Sequence, residues 1–390
     1  MRTYNDRLRF ILEHGKKRGD RTGVGTISYF GGHDEYHMFD GFPLYGNRAI
    51  LLRWIFMELR WMLRGDSNIQ WLKDQGVTIW DEWAVTKEMV QHMENFNSIQ
   101  FTLDAAGLQV AGNPIPNVYD CEFPEVVEFF AKNKGVLEEY LFIREGDLGP
   151  IYPTMWRNNN GVDQIRATLE SIRKYPYSRR HCVSAWNPRY LPKENLSPED
   201  NVFEGYAALA PCHHFFQFYV EDLTVTERLL VACGDGHSRH FWRDKDARSK
   251  ACLIALNENI EDDEKVTRLL DDLKIPSQGL SILFHMRSND TILGAPYNIA
   301  SYAMLLKMYA EILGMAPLKV VHQVGDAHIY LNHVDKIEEM LNRPVPPLPS
   351  LNFREDLPFG KYKDPVEFEW TDFQLEGYDP GPKMDFPIAK

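Results

Sequence analysis

The hydrophobic positions near the start recur at helical spacing: Tyr4, Leu8, Ile11 and Leu12 share one face and Gly15 follows, which predicts a short amphipathic helix over residues 4–14. A glycine-punctuated loop, Asp20-Arg21-Thr22-Gly23-Val24-Gly25-Thr26, then leads into a strand. Residues 49–64 are apolar on nearly every face and predict a buried helix, with Glu58 as an anomaly in its middle. Residues 162–174 predict another amphipathic helix, and residues 297–314 have the length and glycine stop of a core helix. Aromatic and β-branched runs at 181–186, 213–220 and 279–287 predict strands. This order of elements predicts a mixed α+β domain spanning residues 1–390. Stretches 85–143 and 226–278 differ in texture and read as insertions, the second including a solvated helix opened by Glu261-Asp262-Asp263-Glu264. Beyond residue 343, Pro344, Pro346, Pro347 and Pro349 predict extended surface chain.

Charge narrows the function classes. With 43 Lys+Arg against 56 Asp+Glu among 390 residues, the formal charge of −13 argues against a general grip on nucleic acid or anionic membrane. An anionic ligand must therefore meet a local arginine cluster. No apolar run approaches the roughly 18–20 residues of a membrane span, and the start lacks a signal layout, so a soluble cytoplasmic protein is expected. Cys121, Cys182, Cys212, Cys233 and Cys252 are odd in number and irregularly spaced, which favours reduced thiols over a disulfide framework.

Four groups of residues carry candidate chemistry. Cys212 stands just before a strongly β-prone run, at a strand edge where a turn can expose sulfur. A free thiol with a pKa of about 8.5 is mostly protonated near neutrality, so a nucleophilic role requires nearby positive charge; an inert buried thiol is the competing reading. Arg21, Arg179, Arg180 and Arg287 could together fork onto a phosphate dianion, or each could be a surface charge. Glu58 is either paired with a buried base or tuned by desolvation for proton work. His328 and Tyr330 in Gly325-Asp326-Ala327-His328-Ile329-Tyr330 share a face if extended, as site residues or as satisfied core groups. Separately, Cys233, His237, His240 and Cys252 form a spacing that could hold tetrahedral zinc, although it fits no standard finger and ordinary polar surface competes.

These segments resemble, in order, the blocks of thymidylate synthases and their hydroxymethylase relatives. The resemblance runs through residues 20–26, 76–84, 146–152, Ser178-Arg179-Arg180, Ser184-Ala185-Trp186-Asn187-Pro188, Pro211-Cys212-His213, Arg287-Ser288-Asn289-Asp290, Asn298-Ile299-Ala300-Ser301-Tyr302 and 325–330. It implies a three-layer α/β sandwich with a mixed sheet at a homodimer interface, and active sites completed by Arg179 and Arg180 of the partner chain. It implies that Cys212 attacks C6 of dUMP, that the cosubstrate is 5,10-methylenetetrahydrofolate, and that Glu58, Tyr152, Asp290 and Asn298 join the catalysis. Arg21, Arg179, Arg180, Gln217, Arg287, Ser288, Asn298, His328 and Tyr330 are the implied nucleotide residues. Ile79, Trp80, Trp83, Asp290, Leu293, Gly294, Tyr297 and Ala389 are the implied folate residues. The amide of Asn298 matches uracil, where cytidylate-specific relatives carry aspartate.

Departures from the usual synthase pattern point to 5-hydroxymethyl-dUMP as product, in the manner of a phage enzyme, with dTMP as the rival. They are Pro43-Leu44-Tyr45-Gly46-Asn47-Arg48, Tyr152-Pro153-Thr154-Met155-Trp156, the ending Pro387-Ile388-Ala389-Lys390, the extra His214, and Asn289. Trp80, Trp83 and Leu209 argue the other way, because they keep the pocket dry. A nucleotide- or messenger-binding regulator without catalysis is the remaining alternative.

Overall fold

The computed structural model describes residues 4–20, 23–90, 143–233, 264–354, 356–358 and 360–388. They fall into two compact units, Met1–Arg64 with Trp156–Ala185 and Cys212–Lys390, and Gly65–Met155 with Trp186–Pro211.

The first unit is built on a six-stranded sheet: β1 (Lys16–Arg18), β2 (Thr26–His37), β3 (Cys182–Ser184), β4 (His213–Asp222), β5 (Gln278–Asp290) and β6 (Ala316–Tyr330), in the order β1-β2-β6-β5-β4-β3. All neighbours are antiparallel except β5 and β6. A parallel pair cannot be closed by a tight turn, and the helix Ala295–Leu313 makes the crossover. Pro296 in its first turn and Gly314 at its end delimit it, and nearly every side is buried. It packs on the sheet through aromatic rings: Tyr302 stacks on Phe284 at 4.1 Å and Tyr309 on Phe218 at 4.2 Å. Each such pair adds about 0.5–1.5 kcal/mol beyond its buried area. Because side chains alternate across a strand, the same strands send Gln217, Tyr219 and His285 to the opposite face, where Tyr219 is 55% exposed.

The helix predicted over 49–64 runs Leu52–Arg64, and that predicted over 162–174 runs Gln164–Lys174, capped by Asp163 accepting from the Arg166 N–H at 3.0 Å. The chain beyond the prolines differs from the surface chain expected. Residues 344–349 carry no regular secondary structure, but β7 (Ser350–Phe353) and β8 (Phe373–Glu376) pair, and Phe353, Phe368 and Phe373 cluster with ring centroids 5.1–5.9 Å apart. Phe373 meets Phe56 of the Leu52–Arg64 helix at 5.5 Å. The prolines dictate extended backbone without preventing burial of the aromatics that follow.

Within the second insertion, helices Val225–Cys233 and Glu264–Asp272 enclose Leu229, Ala232, Val266 and Leu270 against Ala316 and Leu318 of β6. Of the acidic run, Glu261, Asp262 and Asp263 lie outside the described residues, and Glu264 begins the helix Glu264–Asp272. Most of the first insertion lies outside the described residues.

In the second unit, Asn68 organises the loop before Tyr152 by donating to Asp147 Oδ1 at 2.6 Å and to the Glu145 carbonyl at 2.9 Å. Gly149 has φ +67°, and a Cβ there would stand 2.2 Å from the Tyr206 carbonyl oxygen, so only glycine fits.

Candidate active site

Cys212 is half-buried immediately before β4. The β4–β5 register passes from His213↔Met286 to Phe215↔His285, so His214 is the extra residue of a bulge at the strand's start. Two contacts tie Cys212 to β5: the Arg287 N–H donates to the Cys212 carbonyl at 2.9 Å, and Arg287 Nη2 lies 3.9 Å from Cys212 Sγ. Burial pushes the thiol pKa up, and the Arg287 charge opposes it. On β6, a Cβ at Gly325 would sit 2.8 Å from the Arg287 carbonyl oxygen, so glycine permits the close approach that seats this arginine.

His213 turns inward, its Nδ1 2.9 Å from the Tyr302 hydroxyl and its ring edge-on to Trp156. Burial, aided by His214, pulls its pKa down to about 3, so it is neutral near pH 7 and positions β4 rather than titrating. His214 and His285 meet edge-on at 4.9 Å; burial lowers both, and for His214 the neighbouring His285 and Arg287 lower it further.

Glu58 is half-buried on its helix. Its charge reaches Tyr297, whose phenol is pushed up by burial first and by Glu58, against Arg48. Asp290 closes β5 and bends its carboxylate back: Oδ1 accepts from the N–H groups of Ile292 and Leu293, both at 2.9 Å. That turn launches the helix carrying Tyr297 and Asn298. Asn298 is half-buried, and a Cβ at Gly294 would lie 3.4 Å from its Oδ1.

Asp290↔His328 and Ser288↔Asp326 are paired across β5 and β6. His328 is buried, edge-on to Tyr330 at 5.4 Å, with Asp326 Oδ2 3.7 Å from its Nδ1. Arg179 and Arg180 are exposed before β3, and Gln217 Nε2 donates to the Arg179 carbonyl at 3.1 Å, fastening that loop. Arg21 lies outside the described residues; beside it in sequence, Asp20 Oδ1 accepts from the Gly25 N–H at 2.7 Å.

In the second unit, half-buried Trp80 packs edge-on to buried Tyr152 at 6.2 Å, with Ile79 and Trp83, also half-buried, beside it in sequence. This partly open aromatic surface suits a flat heterocycle. Ala389 lies outside the described residues, as do His237, His240, Cys252 and the side chain of Cys233. Among the described residues no group of three or more His, Cys, Asp and Glu could hold a metal ion, and no helix is long and apolar enough to cross a membrane.

Sequence reasoning gave no role to His285, Asp326, Tyr302 or His333. Three of them acquire their neighbours from distant segments: His285 meets His214, Tyr302 meets His213, and His333 meets Pro387.

The site of the first unit therefore offers a sulfur nucleophile beside a fixed cation, a carboxylate near a phenol, and an amide at a helix start. Such a set can add sulfur to an electron-poor ring and steady the charge that develops. Residues 2–235 and 241–390 match the family model described as thymidylate synthase. The chain is also 33% identical, over 390 residues covering all of both chains, to a thymidylate synthase from Mycoplasma mobile (strain ATCC 43663 / 163K / NCTC 11711). The chain belongs to the thymidylate synthase family of one-carbon transferases, the fold and the enzyme class that its ordered motifs implied.

Proposed function

We propose that this chain transfers a one-carbon unit from 5,10-methylenetetrahydrofolate to C5 of dUMP and releases dTMP and dihydrofolate. The observation that carries this is Cys212 Sγ within 3.9 Å of the Arg287 guanidinium. The sulfur, once deprotonated, adds to C6 of the pyrimidine and turns C5 into a carbon nucleophile. C5 joins the methylene carbon, the C5 proton leaves, and tetrahydrofolate departs to leave an exocyclic methylene on the base. Hydride from the folate then makes the methyl group, and sulfur is expelled from C6.

In this reading Arg287, Ser288 and Arg21 hold the phosphate with Arg179 and Arg180 of a second copy. His328 and Tyr330 hold the sugar hydroxyl, and Asn298 pairs with uracil N3–H and O4. Glu58, near Tyr297, handles the proton. For the folate, the family resemblance supports Ile79, Trp80 and Trp83 of the second unit and, separately, Leu293, Gly294 and Tyr297 of the first. Tyr152 supports Trp80, while Asp290 and Gln217 act by holding the turn and the arginine loop. A homodimer through the sheet is supported by the face bearing Tyr219, Gln217 and His285, where Tyr219 is 55% exposed and which adjoins the exposed arginines.

Two observations favour methyl over hydroxymethyl. Asn289, one basis of the hydroxymethyl expectation, is buried with its amide 3.3 Å from Met286 Sδ, a core contact. The last described residues are docked, with Phe386 buried, as a water-excluding segment should be. The second reading, 5-hydroxymethyl-dUMP, keeps the support of Met155, a buried apolar residue where the usual pattern has glutamine. Incubation with dUMP and labelled methylenetetrahydrofolate separates them: dTMP with dihydrofolate is expected, whereas 5-hydroxymethyl-dUMP with tetrahydrofolate would establish the second. Adduct formation on Cys212 by 5-fluoro-dUMP with the folate tests the shared chemistry, and an unmodified cysteine would point to a binding protein.

A further inference from the structure

His333 ends the short turn Leu331–His333 that follows β6, and it is fully buried. Its Nε2 lies 2.7 Å from the carbonyl oxygen of Pro387, near the end of the chain. A carbonyl only accepts, so the ring carries its proton on Nε2. The other ring nitrogen, Nδ1, is buried with no hydrogen-bond partner among the described residues. This geometry commits the Nε2–H of the imidazole to the tail.

The same ring has aromatic neighbours on two sides. Phe386 meets it edge-on at 5.2 Å from the tail side, and Tyr330 at 5.8 Å from the strand side. Tyr330 in turn meets His328 edge-on at 5.4 Å. A continuous row of rings, Phe386–His333–Tyr330–His328, thus runs from the tail to the end of β6. Two cations reinforce the docked end of the row. Lys336 Nζ donates to the Asp385 carbonyl at 2.6 Å. The Arg48 guanidinium lies 5.6 Å from the Phe386 ring while its Nη2 donates to the Ile292 carbonyl at 2.7 Å. Ile292 belongs to the turn that Asp290 ties down, so the tail is also joined to the start of the helix carrying Asn298.

We infer that His333 is a positioning residue that couples docking of the C-terminal segment to the sugar end of the nucleotide site, because one imidazole holds the tail by Nε2 and Tyr330 by its edge. This rests on the reading of His328 and Tyr330 as the residues that bind the sugar hydroxyl. Packed interiors do not deform continuously, so Tyr330 and His328 keep their orientation only while the tail supports the ring between them. The tail therefore contributes to discrimination for the 3′-hydroxyl as well as to exclusion of water.

The test compares kcat/KM for dUMP with that for 2′,3′-dideoxyuridine 5′-monophosphate, which lacks only the hydroxyl in question. The wild-type chain is expected to prefer dUMP by about tenfold or more, the scale of one well-placed hydrogen bond. His333→Leu should bring the ratio close to one, and deletion of residues 385–390 should do the same with His333 still in place. His333→Gln, which keeps an N–H donor, should retain most of the preference. Loss of the preference in both the leucine variant and the deletion, with rescue by glutamine, supports the coupling. An unchanged ratio in the deletion variant overturns it, since that variant does not depend on how the core tolerates leucine. Absence of any preference in the wild type overturns the reading of His328 and Tyr330 and the inference with it, whereas a wild-type preference untouched by the variants removes the inference alone.

Discussion

Arg287 holds Cys212 twice, by a backbone N–H donated to its carbonyl at 2.9 Å and by a guanidinium nitrogen 3.9 Å from its sulfur. One residue thereby sets both the position of the nucleophile and its charge. The thiol needs that help, because burial alone drives it toward the unreactive protonated form.

Removing the charge should slow the sulfur. In Arg287→Gln the thiol pKa rises, because burial is left unopposed, and alkylation of Cys212 by iodoacetamide at pH 8 should slow by about tenfold. Peptide mass spectrometry reads the rate at Cys212 with Cys182 as the internal reference. Equal rates in variant and wild type would show that the guanidinium does not tune the thiol.

Gly325 should be intolerant of a methyl group for a reason of position. A Cβ there stands 2.8 Å from the Arg287 carbonyl oxygen, so Gly325→Ala must push β5 and β6 apart beside the nucleophile. We expect a stability loss of about 1–3 kcal/mol and a fall in kcat/KM of about 100-fold, as misplacement by about an ångström can cause. Urea denaturation and steady-state kinetics on the folded variant separate the two effects. Full activity in the alanine variant would refute the argument.

His322 makes stability depend on pH. It is buried against Phe284, with ring centroids 4.5 Å apart, and Nε2 has no hydrogen-bond partner among the described residues. Burial, with Arg7 and His285 adding, pulls its pKa from 6.5 to about 3. The unfolded chain therefore binds a proton that the folded chain refuses between these values, and stability falls as pH drops below 6.5. His322→Phe should lie within about 1 kcal/mol of wild type at pH 7 and gain about 2 kcal/mol relative to it by pH 5, from 1.36 kcal/mol per unit. His213, pulled down similarly, leaves a residual acid limb in the variant. Parallel urea midpoints for the two proteins across this range would count against the assignment.

Asn298 should decide the base. In the proposed complex its amide would accept from N3–H and donate to O4 of uracil, and cytosine reverses both roles. Asn298→Asp is expected to lower kcat/KM for dUMP by about 100-fold and to raise it for dCMP, since mispaired buried polar groups lose their full desolvation cost. Unchanged preference in competition assays with the two nucleotides would remove Asn298 from recognition.

Much of the site was legible in the sequence because its residues sit in short blocks. Cys212 before a β-prone run, the pair Arg179 and Arg180, Arg287 with Ser288, and His328 with Tyr330 all fall at positions where local pattern and motif agree. Other residues also hold the fold in place. Asp290 reads as a folate contact, yet one carboxylate oxygen is occupied with the N–H groups of Ile292 and Leu293. Gln217 reads as a nucleotide contact, and its amide holds the Arg179 carbonyl.

The helices Tyr4–His14, Leu52–Arg64 and Ala295–Leu313 follow from the sequence alone, since periodicity, caps and glycine stops act within a turn or two of chain. The reactive residue types follow too, because a side chain's chemistry travels with its identity. Only tertiary structure decided that β5 and β6 run parallel, that Arg287 lies beside a sulfur 75 positions away, and that His333 grips a carbonyl 54 positions further on. These contacts are made by closing long loops and burying distant surfaces together, and no local pattern records which surfaces will meet.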